Sequence, residues 1–335
     1  MVQSEINKRI VVIGGGTGSF VMLSALKKYT KDITAIVNMA DDGGSTGVLR
    51  DELGTLPSGD VRQCLLALSD SPKLRDLFNY RFEEGTFGGH AFGNLFLTAL
   101  EKTTGSFAEA VEVASKVLRI RGTVIPATLD DVRLKMEWPG ASVILHGERV
   151  IDIEHFKNDP RNAELSLVPN PVVNESAIKA IYEADLVVIS AGDLYTSLGP
   201  LLVIDGIGKA LSETKATVVY VCNLVTKRGQ TDGFTVSDHA AEIERFGDHG
   251  GFLDAVLYNQ EAPDAELLER YKEEGSTMVA VDSDKLQNAS YRTIGADLLG
   301  QVMEHEKSET IKVPRTFIRH NAEEVATQLM KLLDK

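Results

Sequence analysis

Residues 9–29 read RIVVIGGGTGSFVMLSALKKY. Ile10–Ile13 is a short β-branched run of the kind that fills a strand covered on both faces. Three glycines follow, then Thr17 and Gly18, and from Gly18 to Tyr29 the residues Phe20, Leu23 and Lys27 recur at helical spacing. Strand, glycine turn and helix in this order open a βαβ unit. At such a turn glycine lets the backbone bend tightly and lets a ligand approach the N–H groups, while the start of the helix favours an anion. Gly15, Gly16, Thr17 and Gly18 are therefore candidate phosphate-binding residues. The stretch is neither G-x-x-x-x-G-K-[ST] nor the full dinucleotide fingerprint, because the sixth residue from Gly14 is Ser19. A tight turn that binds nothing would use the same glycines.

The rhythm continues downstream. Strand-like runs occupy Ile33–Met39, Leu186–Ser190, Thr217–Val221, Ala255–Tyr258 and Met278–Val281. Helical patterns lie between and beyond them, at Asp60–Leu68, Asn94–Lys102, Phe107–Leu118, Glu175–Glu183, Gly199–Leu211, Val236–Phe246 and Ala322–Leu333. This alternation predicts an α/β fold: a Rossmann-like, doubly wound, mostly parallel sheet with helices on both faces. Residues 121–168 break the pattern with short alternating segments, VRLKMEW, ASVILHG and RVIDIEHF, parted by Pro-Gly and Gly-Glu turns. They are expected to form a small antiparallel β insertion. No repeat or Pro/Ser linker divides the chain, so residues 1–335 are expected to make a single domain.

Composition narrows the function. A formal net charge of −14 argues against a broad basic face, and nucleic acid is not expected as a partner. Any phosphate must be held by local donors rather than by the general field. Cys64 and Cys222 are the only two cysteines and match no metal spacing, which suits a reducing compartment. No run approaches the ~20 apolar residues of a membrane helix. A cytoplasmic protein without membrane insertion is expected, with homo-oligomerisation left open and no redox cofactor.

Several loops carry polar sets where ligand-binding residues of open α/β sheets gather. The second strand runs into Asp41, Asp42, Gly43 and Ser45. Their carboxylates suit either Mg²⁺ beside a phosphate or a sugar hydroxyl, and equally an Asp-Gly turn with solvated charges. Asp60, with Gln63 three residues on, reads first as a helix cap. Arg62 lies in the first turn, where a cation opposes the helix dipole, which points to a ligand or an acidic partner. His90 is a candidate donor or acid–base group, and Asn94 a candidate cap. Gly192, Asp193, Tyr195, Thr196 and Ser197 end another strand, Tyr195 being either a base-stacking or a core residue. Asn223 and Thr226 end the next.

Taken together, GGGTG (14–18), ADDGGSTGVLRDELG (40–54), PSGDVRQCL (57–65), YRF (80–82), GHAFGNL (89–95), LYTS (194–197), Cys222-Asn223, TDGFT (231–235) and Asp238-His239 resemble the bacterial gluconeogenesis factor family of the YvcK type. That family falls within the superfamily of 2-phospho-L-lactate transferase. The resemblance runs from about Arg9 to Tyr271. It implies a Rossmann-like fold, binding of a nucleotide sugar such as UDP-N-acetylglucosamine, and a role in cell morphogenesis on gluconeogenic carbon sources. A binding or regulatory protein is implied rather than an enzyme. The alternative is a Mg²⁺-dependent transferase of phosphorus-containing groups, with Asp41, Asp42 and Asp193 as metal ligands. Two departures stand out. The family's Gly-Pro-Gly-Ser is here Ser190-Ala191-Gly192-Asp193, and its Met-Thr-Gln-Pro-Gly-Glu-Thr is Val225-Thr226-Lys227-Arg228-Gly229-Gln230-Thr231. A carboxylate at Asp193 beside a diphosphate is unfavourable unless Mg²⁺ bridges the two, which is the expectation, or the side chain instead accepts from a ribose or sugar hydroxyl.

Overall fold

The computed structural model of the protein describes residues 7–302 and 318–333. Its chain starts in the middle of a sheet. β1 (Ile10–Gly14) is flanked on one side by β2 (Ile33–Val37) and then β3 (Thr123–Pro126). The chain next leaves the sheet for a separate antiparallel one: β4 (Arg133–Trp138) in the centre, with β5 (Val143–His146) and β6 (Glu164–Val168) at its sides. It returns to the other side of β1 as β7 (Leu186–Ile189), and then β8 (Thr217–Val221), β9 (Ala255–Asn259) and β10 (Arg292–Ala296) add in turn. All six pairings of the seven-stranded sheet are parallel. A final antiparallel pair joins β11 (Leu299–Val302) to β12 (Ile318–His320).

Parallel strands need helical crossovers, and these cover both faces. Successive side chains of β1 therefore enter different cores. Ile10 and Val12 meet Met22, Leu23 and Leu26 of α1 (Gly16–Leu26). Val11 and Ile13 face Ile181, Leu201, Ile207 and Ile243. On the first face lie also α3 (Gly59–Leu68), α4 (Pro72–Asn79), α5 (Phe92–Thr104) and α6 (Phe107–Leu118) of the long β2–β3 crossover, with α2 (Gly44–Leu53) of the same crossover packed against α5.

The predicted insertion is real but differently bounded. Thr123–Pro126 belongs to the main sheet as its edge strand, paired with Thr34–Val37. RVIDIEHF is not extended: Glu148–Ile153 coils into α7, and the third strand is Glu164–Val168. Met278–Val281 makes only single bridges, Met278 to Val225 and Ala280 to Thr235. The seventh strand is instead RTIGA, whose polar and glycine content fits its place at the sheet edge, where one side stays unpaired. The predicted helix Gly199–Leu211 is broken: Gly199–Leu202 and Ile207–Glu213 are parted by a turn at Gly206, whose φ is +98°.

Trp138, the only tryptophan in the sequence, reports on the insertion. Its Nε1–H donates to the Asp159 carbonyl at 2.9 Å and its ring meets Phe156 edge-on at 5.3 Å. The second core layer runs from the main sheet into the insertion, so that Trp138 belongs to the same buried cluster as Val11 and Ile13. Urea unfolding followed by Trp138 fluorescence and by far-UV circular dichroism should therefore give coincident transitions. Two separated midpoints would show that the insertion unfolds alone.

Candidate functional site

The strand order places β2 and β3 to one side of β1 and β7 to the other, so the carboxyl ends of β1 and β7 mark the topological switch point of the sheet. A cleft of about 690 Å³ opens there. Its walls come from Gly15–Gly18 after β1, from Gly192, Asp193 and Ser197 after β7, and from Asn223–Arg228 after β8, with Asp152 and His155 opposite. A smaller hollow of about 340 Å³ lies at the opposite edge, beside Arg9, Lys31 and Lys179, and none of the loops singled out above reaches it.

The glycine loop is shaped by close approach. A Cβ on Gly18 would lie 1.8 Å from the Ala191 carbonyl oxygen, so α1 begins in direct contact with the end of β7. Gly16 has φ +57°, a left-handed conformation that glycine tolerates without steric cost. The first N–H groups of a helix have no intrahelical acceptor. That of Gly16 donates to Asp60 Oδ1 at 2.9 Å, and that of Ser19 reaches the Gly15 carbonyl at 3.4 Å. The amides of Thr17 and Gly18 remain at the edge of the cleft. Asp60 thus does not cap its own helix. Ser58 holds the N-cap position of α3, and the carboxylate of Asp60 crosses to α1, where a charged acceptor meets a helix N-terminus.

Across the cleft, Asn223 clamps Gly192 from both ends of its amide: Oδ1 accepts from Gly192 N–H at 3.1 Å, and Nδ2 donates to the Gly192 carbonyl at 2.8 Å. Asn223 shapes the loop. Asp193 Oδ2 accepts from Lys227 Nζ at 2.9 Å, and the same ammonium bonds Asp152. The two departures from the family pattern thus meet in space, one supplying the carboxylate and the other the cation. Burial disfavours the Lys227 charge, but Asp193 and Asp152 outweigh it and raise its pKa. Thr196 donates to Asp152 at 3.3 Å. His320 donates Nε2–H to the Cys222 carbonyl at 3.1 Å, and burial pushes its pKa down to about 4, so it lines the cleft as a neutral ring.

Tyr195 takes the core reading. It is fully buried, its hydroxyl donates to Glu242 at 2.9 Å, and Phe156 and Phe246 meet its ring edge-on. No face is left for a base to stack upon. Burial and then Glu242 raise its pKa.

The other predicted residues form a second group on the same edge, joined to the cleft through the Asp60–Gly16 bond. Asp41 accepts from Gly43 N–H at 2.9 Å. Asp42 is engaged elsewhere, accepting from Arg149 N–H at 2.7 Å and from Arg133 at 3.4 Å. Asn94 sits inside α5, whose N-cap position is Ala91, and its side chain leaves the helix to accept from Arg62 at 2.8 Å. Arg62 also donates to Asn79 at 2.7 Å, so it holds loops together. Ser45 and His90 are bonded at 2.9 Å. Glu148, at the start of α7, faces this group and was not foreseen. Neither were Lys227, Asp152, Arg228 and Arg319 as cleft residues. Asp152 is placed by the insertion, Arg319 by residues 318–320 and Lys227 and Arg228 by the loop after β8, and no local motif marks any of them.

Asp41, Asp60 and Glu148 have no Lys or Arg in ion-pair contact among the described residues. Burial, then Asp41, pushes Asp60 up to about 7. Burial, then Asp41, Asp152, Asp42 and Asp60, pushes Glu148 up to about 9. Asp41 is raised chiefly by burial, against the hydrogen bonds from Gly43 and Thr46.

The fold and site define an open α/β protein with a cleft at the switch point of its sheet. Residues 10–299 match the family model described as 2-phospho-L-lactate transferase CofD. The chain is 38% identical to the gluconeogenesis factor of Listeria monocytogenes over 99% of its own length and 98% of that protein, and 43% identical to a Nostoc sp. relative over 96% and 68%. A crystal structure of a UPF0052 family member from Bacillus halodurans superposes with a TM-score of 0.85 at 37% identity, covering 96% of this chain and 99% of that one. The chain belongs to the CofD family, among relatives named gluconeogenesis factor.

Two outcomes follow from these charges. Lys227→Met strands two carboxylates, whereas in an Asp193→Asn background it strands one. A double-mutant cycle read by urea denaturation should give a coupling of about 0.5–3 kcal/mol, and additivity would mean the pair is solvated and idle. Glu148 binds a proton more tightly in the folded chain than in the unfolded one, whose carboxyl titrates near ~4. Its contribution therefore erodes as pH rises from ~4 and is fully lost above about 9. The melting temperature should fall over that range, and Glu148→Gln should flatten the fall. A parallel decline in the variant would remove Glu148 as its cause.

Proposed function

We propose that the switch-point cleft binds a nucleotide sugar of the UDP-N-acetylglucosamine type, and that the protein acts as a binding or regulatory component rather than through rapid turnover. The observation that carries this reading is the pairing of the Thr17 and Gly18 amides, which have no acceptor among the described residues, with Lys227, Arg228 and Arg319 around one cleft of an otherwise acidic chain. Backbone donors at a helix start suit the oxygens of a diphosphate, and local cations offset the repulsion expected from a net charge of −14. A cytoplasmic role in cell morphogenesis during growth on gluconeogenic carbon is the cellular counterpart of this reading; of it, the names of the relatives speak to gluconeogenesis alone.

A second reading rests on the Asp41–Asp60–Glu148 group. Three carboxylates that resist ionisation together would accept a divalent cation in place of protons, and Mg²⁺ bound there would supply electrostatic stabilisation to a phosphoryl oxygen. Asp41, Asp60 and Glu148 would have to draw together to hold it, since among the described residues no three His, Cys, Asp or Glu side chains are grouped as metal ligands. Asp193 and Asp42 fit it less well, since Lys227 and Arg133 already answer their charge. On this reading the protein is a transferase of phosphorus-containing groups.

Titration calorimetry with UDP-N-acetylglucosamine separates the two. Thr17→Pro removes one donor at a first-turn position where proline is tolerated, and should weaken binding about ten- to a hundredfold with the circular dichroism spectrum unchanged. Mg²⁺ dependence abolished by Glu148→Gln would favour the transferase reading. Unaltered affinity in Thr17→Pro would remove the glycine loop from the ligand site.

A further inference from the structure

The Ser45–His90 pair plays no part in the reading above, yet its proton positions follow from its partners alone. Arg62 Nε lies 2.8 Å from one side-chain atom of Asn94. A guanidinium only donates, so that atom is the amide oxygen and the orientation of Asn94 is fixed. The other end is NH₂, which only donates, and it lies 3.3 Å from Ser45 Oγ. Ser45 therefore accepts from Asn94. Its own proton has a single acceptor among the described residues, His90 Nδ1 at 2.9 Å. In the neutral ring Nδ1 is then bare, and the proton sits on Nε2.

The arrangement is shielded and braced. Arg62, Asn94 and Ser45 are 6%, 3% and 8% exposed, so water has little access with which to re-pair the chain. His90 is half-buried and held in a hairpin, its carbonyl accepting from Phe82 N–H at 3.0 Å and its N–H donating to Phe87 at 3.0 Å. Even the glycine beside Asn94 contributes: a Cβ on Gly93 would lie 2.6 Å from Arg62 Cδ.

We propose that Arg62, Asn94 and Ser45 are positioning residues that form a one-directional hydrogen-bond relay, fixing His90 as the Nε2–H tautomer. His90 thereby offers an Nε2–H donor, not a base, to a sugar hydroxyl oxygen of the ligand bound along the Asp41–Ser45 edge. The relay stands on the geometry of the free protein, while the ligand contact rests on the nucleotide-sugar reading.

Two-bond ¹H–¹⁵N correlation spectra of histidine-labelled protein, in buffer alkaline enough to keep the ring neutral, read the tautomer directly. His90 is assigned by its loss in His90→Gln. The wild type should show the Nε2–H form. Asn94→Asp should reverse it, because the introduced carboxylate accepts from both Arg62 and Ser45, so that Ser45 must then accept from Nδ1–H. Ser45→Ala, which breaks the relay without adding charge, should give a mixture. An Nδ1–H ring in the wild type, or one tautomer unchanged across all three proteins, overturns the relay. With UDP-N-acetylglucosamine as probe, His90→Phe should weaken binding about tenfold, the loss of one hydrogen bond, and His90→Gln by less, since its amide keeps a donor near the Nε2 position. Equal affinity for wild type and His90→Phe overturns the ligand contact. Absence of any binding to the wild type would instead sink the nucleotide-sugar reading, with the spectra still deciding the relay.

Discussion

The start of α1 lies so close to the end of β7 that no side chain fits between them. A Cβ on Gly18 would stand 1.8 Å from the Ala191 carbonyl, and one on Gly15 would stand 2.0 Å from Asp60 Oδ2. This double constraint sets the edge of the sheet. It packs the N-terminus of the first helix against the strand that crosses to the other side, and it pins α3 to α1 through the Asp60–Gly16 bond. The cleft is the space left in front of that junction, floored by the ends of β1, β7 and β8. Because the junction is built from backbone, its N–H groups belong to the fold and not to any one side chain.

Charge is sorted around this frame. Lys227, Arg228 and Arg319 line the cleft, where Lys227 bridges Asp152 and Asp193. A few residues away Asp41, Asp60 and Glu148 lack such a partner, and burial holds them towards their protonated forms. An anion is drawn to the first region and a cation or protons to the second. A ligand with phosphate at one end and hydroxyls at the other meets both needs, since protonated or partly protonated carboxyls exchange hydrogen bonds with hydroxyls readily.

Much of this was legible in the sequence, and the rest was not for definite reasons. The central strands announced themselves because burial on both faces demands unbroken runs such as IVVI and LVVI. The edge strands Thr123–Pro126 and Arg292–Ala296 did not, because an edge tolerates proline, arginine and glycine. The glycines after β1 were readable as a close approach, though not what approached them. Asp60 and Asn94 were read as caps because capping is a local rule, whereas their partners, Gly16 and Arg62, are brought to them only by tertiary packing. In the same way Asp193 was expected to meet Mg²⁺ or a sugar hydroxyl, whereas its partner in the structure is a cation of the chain itself. That the cation is Lys227 became plain only when the ends of β7 and β8 were placed side by side.

The account stands on the glycine junction as the anchor of a diphosphate. A crystal structure of the protein with UDP-N-acetylglucosamine measures that directly. The diphosphate should lie within hydrogen-bond distance of the Thr17 and Gly18 amides, with Lys227 turned towards it. Density for the ligand at the amino edge of the sheet beside Arg9 and Lys179, or in the main cleft with the diphosphate away from these amides, would contradict it.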